Sequence, residues 1–260
     1  MANINVDKLS ITEIDQITAF NNSDELEFIM DEVQEGSIKN TQDKSDITGR
    51  GGRKIGSLKK NKGVTVSATN GLLVGGALAA QTGTEVEQGT FKVRKTEVVT
   101  VKSNKATLTG TPVGTAGDEI GFAYLKDANG ALGKKFTQDS EAKETGKFTF
   151  ATKDLTFFAG DLKDGDEVVV FYDEEVTAAK ISNDSEKYSK TLKLYVDVTC
   201  TDVCDNLYHG QFIIDRADFN GEFDLSFGND PSVHAIEAES LAGGCSGSTK
   251  LWDFIVYGNK

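Results

Sequence analysis

The sequence predicts an all-β protein with one or two short helices, in which residues 1–101 and 177–260 form one discontinuous domain and residues 102–176 a second, inserted β domain. Three observations carry this. Stretches of period-two alternation recur at both ends of the chain, as in "VTVSATN" (64–70) and Leu192, Leu194, Val196, Val198. Glycine is abundant and proline scarce, 27 against 2 in 260 residues, so the turns are many and proline-rich linkers are absent. From about residue 102 to 176 the texture changes to short β runs, spaced by roughly 10 residues between glycine-bearing turns, the pattern of a small sandwich.

The elements follow in order. Residues 1–23 read as a polar lead-in with a short helix from Thr12 to Phe20. In "ELEFIMDEV" (25–33), Leu26, Phe28 and Met30 fall opposite Glu25, Glu27 and Asp31, as in a strand with one packed and one wet face. In "VTVSATN", Val64, Val66 and Ala68 oppose Thr65, Ser67 and Thr69. Between these strands lies a polar, glycine-laced stretch too long for a tight hairpin, read as a long functional loop. Asn70 is placed to cap a small-residue helix in "GLLVGGALAAQTG" that stops near Gly83. Strand signals continue in "EVEQGTFKVRKTEVVTV" (85–101), in "KATLTG", "DEIGFAYLKD", "GKFTFATKDLTFF" and "DEVVVFYDEE", and in five longer runs at 189–203, 209–219, 221–228, 233–242 and 250–258.

Charge narrows the function. Residues 43–63, "DKSDITGRGGRKIGSLKKNKG", hold seven of the 28 basic residues and only two of the 41 acidic ones, so the rest carries 21 basic against 39 acidic, a net charge of −18. So acidic a body repels phosphate backbones, and the basic stretch has no aromatic residue on which a base would stack, which argues against nucleic-acid binding. Its glycines also fail the phosphate-loop test, because Gly56 is followed by Ser57 where a lysine is needed, and the dinucleotide fingerprint, because Lys54 stands where a third glycine would be. Docking on an acidic protein face is the simpler reading.

No enzyme chemistry is legible. His209 and His234 stand in no nucleophile or HExxH motif, and carboxylate pairs are uninformative in so acidic a chain. "DANG" and "GNDPS" read as turns and not as calcium loops. Cys200, Cys204 and Cys245 are odd in number; Cys200 and Cys204 would share one side of a strand with His209 following, but the spacing is not a zinc knuckle, and reduced structural cysteines are expected. No cofactor and no metal are implied. The opening residues have no basic-then-apolar leader pattern and no apolar run approaches 18 residues, so a soluble protein of the cytoplasm is expected, without a membrane.

The order of these pieces resembles the major tail tube proteins of tailed bacteriophages, in versions with an immunoglobulin-like insertion. The resemblance lies in the strand "LEFIMDEV", the stretch "DITGRGGRKIGSLKKNK", the strand "GVTVSATNG", the small-residue helix, the late "LYHGQFIIDRADFNGEFDLSFGND", "HAIEAESLA" and the closing "WDFIVYG". It covers 24–101 and 177–258 and rests on order and texture. It implies a tail-tube-type β-sandwich that assembles with itself into stacked hexameric rings, meets the tail terminator, the baseplate or tail tip and, in a contractile tail, a sheath, and passes DNA without specific binding; the protein would be assembled in the host cytoplasm and reside in the virion tail. It implies that the loop bearing Arg50, Arg53, Lys54, Lys59, Lys60 and Lys62 reaches a neighbouring subunit or ring, and that Glu25, Glu27, Asp31, Thr65, Ser67 and Thr69 face the lumen. Alternatives are another virion part, such as a capsid decoration or tail completion protein, or a cell-surface adhesin with immunoglobulin-like domains.

Overall fold

The strictest alternation in the sequence forms the centre of an eight-stranded sheet. Strand β12 (Thr191–Thr201) buries every second residue from Leu192 to Cys200 and pairs on one side with β1 (Ser10–Phe20) and on the other with β13 (Leu207–Phe219), both antiparallel. The structure, a computed structural model, describes residues 6–228, 233–243 and 248–258. It divides into two units, Met1–Glu87 with Lys180–Lys260, and Gln88–Ala179. The fold is all-β, a sandwich class with one short α-helix among the described residues.

In the first unit the strand order is β2 (Leu26–Met30), β1, β12, β13, β14 (His234–Ser240), β4 (Lys54–Asn70), β3 (Val33–Thr48), and β15 (Asp253–Gly258) also pairs with β13. The inward faces of these strands share one apolar core, in which Phe28, Met30, Val66, Leu194, Ile214 and Phe219 are nearly inaccessible. Helix α1 (Gly75–Thr82) adds Ala77 and Ala80, small enough for the close approach that the sheet demands. Closeness is enforced at Gly76, where an added Cβ would lie 2.4 Å from the Glu27 carbonyl oxygen. The helix ends at Gly83, which is left-handed (φ 70°) and donates its N–H to the Ala79 carbonyl.

Four expectations need correction. The segment Thr12–Phe20 is strand β1 and not a helix. Bulges between Ile11 and Glu13 and between Ile14 and Gln16 each add a residue, so Ile11, Ile14 and Ile17 share a face at a spacing of three that imitates a helix. Asn70 does not cap α1, whose N-terminus at Val74 has no side-chain cap; its side chain accepts from Glu32 N–H (3.1 Å) and donates to the Leu72 carbonyl (2.9 Å), tying down the turn before the helix. Residues 221–228 form no strand. The stretch after Asp43 is not a loop: β3 and β4 pair from Val33–Asn70 out to Thr48–Lys54, one long antiparallel hairpin.

The second unit is a seven-stranded sheet in the order β5 (Glu87–Thr100), β11 (Glu167–Lys180), β7 (Phe122–Lys126), β8 (Leu132–Gln138), β9 (Lys147–Ala151), β10 (Asp154–Phe157), β6 (Lys105–Thr107). Strand β8 follows the "DANG" turn, where Asp127 accepts from the N–H groups of Asn129 and Ala131. Phe136, Phe148, Leu155 and Val170 fill its separate core. Tyr172 donates to Glu97 (2.8 Å), and burial together with that carboxylate pushes its phenol up to about 12.

Candidate functional site: the long hairpin

Half of the β3–β4 hairpin belongs to the sheet and half stands beyond it. Next to the sheet, β4 pairs with β14 from Thr65 to Asn70 and buries Val64, Val66 and Ala68 in alternation. Beyond Gly63 its described pairing is with β3 alone, and nearly every residue from Thr41 to Lys62 is exposed. The eight residue steps from Thr41 to Gly49 correspond to a ribbon of about 26 Å at ~3.3 Å per residue. A polar two-stranded ribbon of this length is marginal in water by itself.

The end of the ribbon is glycine-built. Gly49 N–H donates to the Arg53 carbonyl (2.7 Å), and Gly51 (φ 80°) and Gly52 (φ 76°) supply the left-handed conformations that close the turn. Arg50 and Arg53 flank these glycines. Lys54 pairs with Asp46 at 2.5 Å, and Lys44 sits directly opposite Lys59, a like-charge pair that costs stability unless an acidic partner is near. Lys60 lies opposite Asp43, and Lys62 falls in a bulge. The bulge is set by Asn61, left-handed at φ 52°, whose side-chain amide donates to Asp43 (2.8 Å).

Three residues that the sequence did not single out share this ribbon. Ile47, Ile55 and Leu58 are 51%, 60% and 57% exposed. Exposed on both sides, the ribbon has no buried face to impose alternation, so nothing in the local pattern separates these residues from a loop.

The six residues expected at a lumen are spread over both ends of the strand order. Thr65, Ser67 and Thr69 lie on the side of β4 away from the core, where Ser67 exchanges a hydrogen bond with Ser37 (2.9 Å). Glu25 is exposed beside Asn21, whose amide donates to it (2.9 Å), and Asp31 is exposed after β2. Glu27 is half-buried and accepts from Lys190 (2.8 Å), which also pairs with Glu85. Burial opposes the Lys190 charge, but these hydrogen bonds prevail and its pKa is raised.

The cysteines and histidines separate. β12 ends at Thr201, so buried Cys200 and exposed Cys204 do not share a strand face as expected; Cys204 sits in a turn whose N–H groups are held by Asp202. His209 approaches Asp15 at 3.8 Å. His234 is fully buried, with Nε2 2.8 Å from the Gln81 amide oxygen and Nδ1 accepting from Val74 N–H (3.3 Å), and burial lowers its pKa. Among the described residues no three His, Cys, Asp or Glu side chains are grouped to hold a metal. Cys245 and residues 229–232 of "GNDPS" lie outside the described residues. No described helix is long and apolar enough to cross a membrane.

No curated protein matches the chain. A family model does, over residues 9–251, a span that takes in the second unit, most of the first and the whole hairpin. A tube-like phage structural protein agrees with an all-β chain in which the β3–β4 ribbon extends beyond the described sheet. On that match, the chain belongs to the YomU/Tube protein family.

Proposed function

We propose that this chain is the tube subunit of a phage tail, which assembles as hexameric rings stacked around a passage for DNA. The observation that carries this is the hairpin: a basic ribbon on a chain of net charge −13, extended where, among the described residues, it pairs only with itself. Opposite charge guides encounter and register between copies, and strand edges closed by neighbours lose their hazard as sites of random pairing. In this reading Arg50, Arg53, Lys54, Lys59, Lys60 and Lys62 meet an acidic surface of an adjacent subunit or ring. Thr65, Ser67 and Thr69, with Glu25 and Asp31, face the passage, where hydroxyl and carboxylate groups let DNA slide without being held; Glu27 already spends its charge on Lys190. In this reading residues 102–176, within the unit Gln88–Ala179, form an immunoglobulin-like insertion that decorates the tube. A tail terminator, a tip or baseplate and, in a contractile tail, a sheath complete the partners.

Replacing Arg50, Arg53 and Lys54 together with Glu tests the reading. The monomer should keep its unfolding transition, because these side chains are exposed, while tubes no longer grow in concentrated solution. Discrete small oligomers from the unaltered protein would instead favour a decoration or completion protein.

A further inference from the structure

The basic side chains are only half of the ribbon. On β3, Ser37, Lys39 and Ile47 share one phase, the side away from the core, and the pairing Ile47–Gly56 and Ser45–Leu58 puts Leu58 on that same side. Ile55 joins them: a Cβ added to Gly49, which has the phase of Ile47, would touch Ile55 Cγ2 at 3.1 Å. The bulge at Asn61 makes this possible. Between Thr41–Gly63 and Asp43–Lys60 β3 advances two residues and β4 three, so Leu58 comes out on the face opposite to Val64 and Val66. The other face carries Lys44, Lys59 and the Lys54–Asp46 pair. The ribbon is therefore two-faced: one side carries the three aliphatic side chains, with Asp43 and Lys60 opposite each other beside Leu58, and the other carries only polar and charged ones.

We propose that the Ile47, Ile55 and Leu58 face is the buried centre of a contact with a second copy of this chain, and that the basic residues form its rim. This deepens the tube reading and rests on it. The ribbon does not fold its face back onto its own base, because the ladder is continuous and Glu35 lies about 43 Å from Thr48 along an extended strand. The charge selects the occupant: residues 43–63 carry seven basic against two acidic residues, and the remaining 21 basic and 39 acidic residues of each copy supply the opposite sign. Nucleic acid would meet the basic side but leave three aliphatic side chains in water, with no aromatic ring to stack a base. Because ribbon and receiving surface are different patches of one chain, the contact is head-to-tail, and such contacts build closed rings or open filaments, the two repeats that a tube combines.

The division of labour gives distinct signatures, since central apolar anchors set dissociation whereas rim charges set encounter and salt dependence. The full chain would be compared with Ile47→Ser/Leu58→Ser, with Lys44→Gln/Lys59→Gln, and with a photo-crosslinking residue in place of Ile55, by sedimentation velocity and negative-stain microscopy at low and high salt. The apolar double variant should need a concentration about a hundred-fold or more higher to assemble at either salt, with an unchanged unfolding midpoint. The lysine variant should assemble more slowly and lose part of its salt dependence. Light should join position 55 to a second copy of the chain. If the unaltered protein forms tubes and the apolar variant does so equally well, or if position 55 links to added DNA and not to protein, the inference is wrong and the tube reading stands. If the unaltered protein forms no oligomer at any concentration, both fall together.

Discussion

Gly83→Ala isolates the backbone geometry that holds α1 on the sheet. Gly83 is left-handed, and an alanine Cβ there would lie 1.9 Å from the Tyr188 carbonyl oxygen, 2.6 Å from its carbon and 3.0 Å from its nitrogen. All three are backbone atoms, in a segment that Lys190 fastens to the helix by donating its N–H to the Ala80 carbonyl (2.8 Å), so the clash cannot be relieved by turning a side chain. The left-handed conformation costs an alanine about 1–2 kcal/mol. Overpacking against fixed neighbours adds about 1–3 kcal/mol, and the stiffer unfolded chain returns about 0.4–1 kcal/mol. The net loss is about 1–4.5 kcal/mol. The single tryptophan, Trp252, packs on Phe212 and donates to Asn40 (3.2 Å), so its fluorescence during urea unfolding reports on this unit alone. A Gly83→Ala protein within about 0.5 kcal/mol of the parent would refute the assigned helix stop, since surface changes of no structural consequence fall in that range.

Two further predictions use the same readout. Burial keeps His234 neutral, so below the unfolded value near 6.5 the unfolded chain takes up a proton that the folded chain refuses. The His234 contribution is therefore complete above that pH and declines as pH falls, by at most about 1.4 kcal/mol per pH unit; stability curves of the parent and His234→Gln that fall in parallel from pH 7 to 5 would contradict this. Lys190→Met should cost about 1–3 kcal/mol by leaving the half-buried Glu27 carboxylate without its cation, and Glu27→Gln added to it should recover part of the loss in a double-mutant cycle. An additive cycle would remove that ion pair from the account.

The all-β class and the central strands were legible because burial acts there on alternate residues. Leu192, Leu194, Val196 and Val198 pack inward on β12, and Val64, Val66 and Ala68 do so on β4. What escaped had no such one-sided environment, or had it disguised. In β1, two bulges stretched the apolar spacing to three and produced the signature of a helix. The arms of the hairpin beyond Thr41 are exposed on both sides, so their strand character comes from pairing with each other and leaves no periodicity to read. The basic residues of the candidate site stood out by charge, whereas Ile47, Ile55 and Leu58 acquire a common face only through the glycines at 49 and 56 and the bulge at Asn61. Asn70 was read as a helix cap because it precedes the apolar run; its amide instead joins the chain after β2 to the turn after β4, a long-range contact that local spacing does not encode.

Electron microscopy of the concentrated chain is the decisive test of tube assembly. Hollow tubes of stacked six-fold rings are expected, in which the Arg50–Arg53 turn of each subunit lies against another copy. A protein that stays monomeric, or closes into single small rings with the hairpins free in solvent, would contradict it.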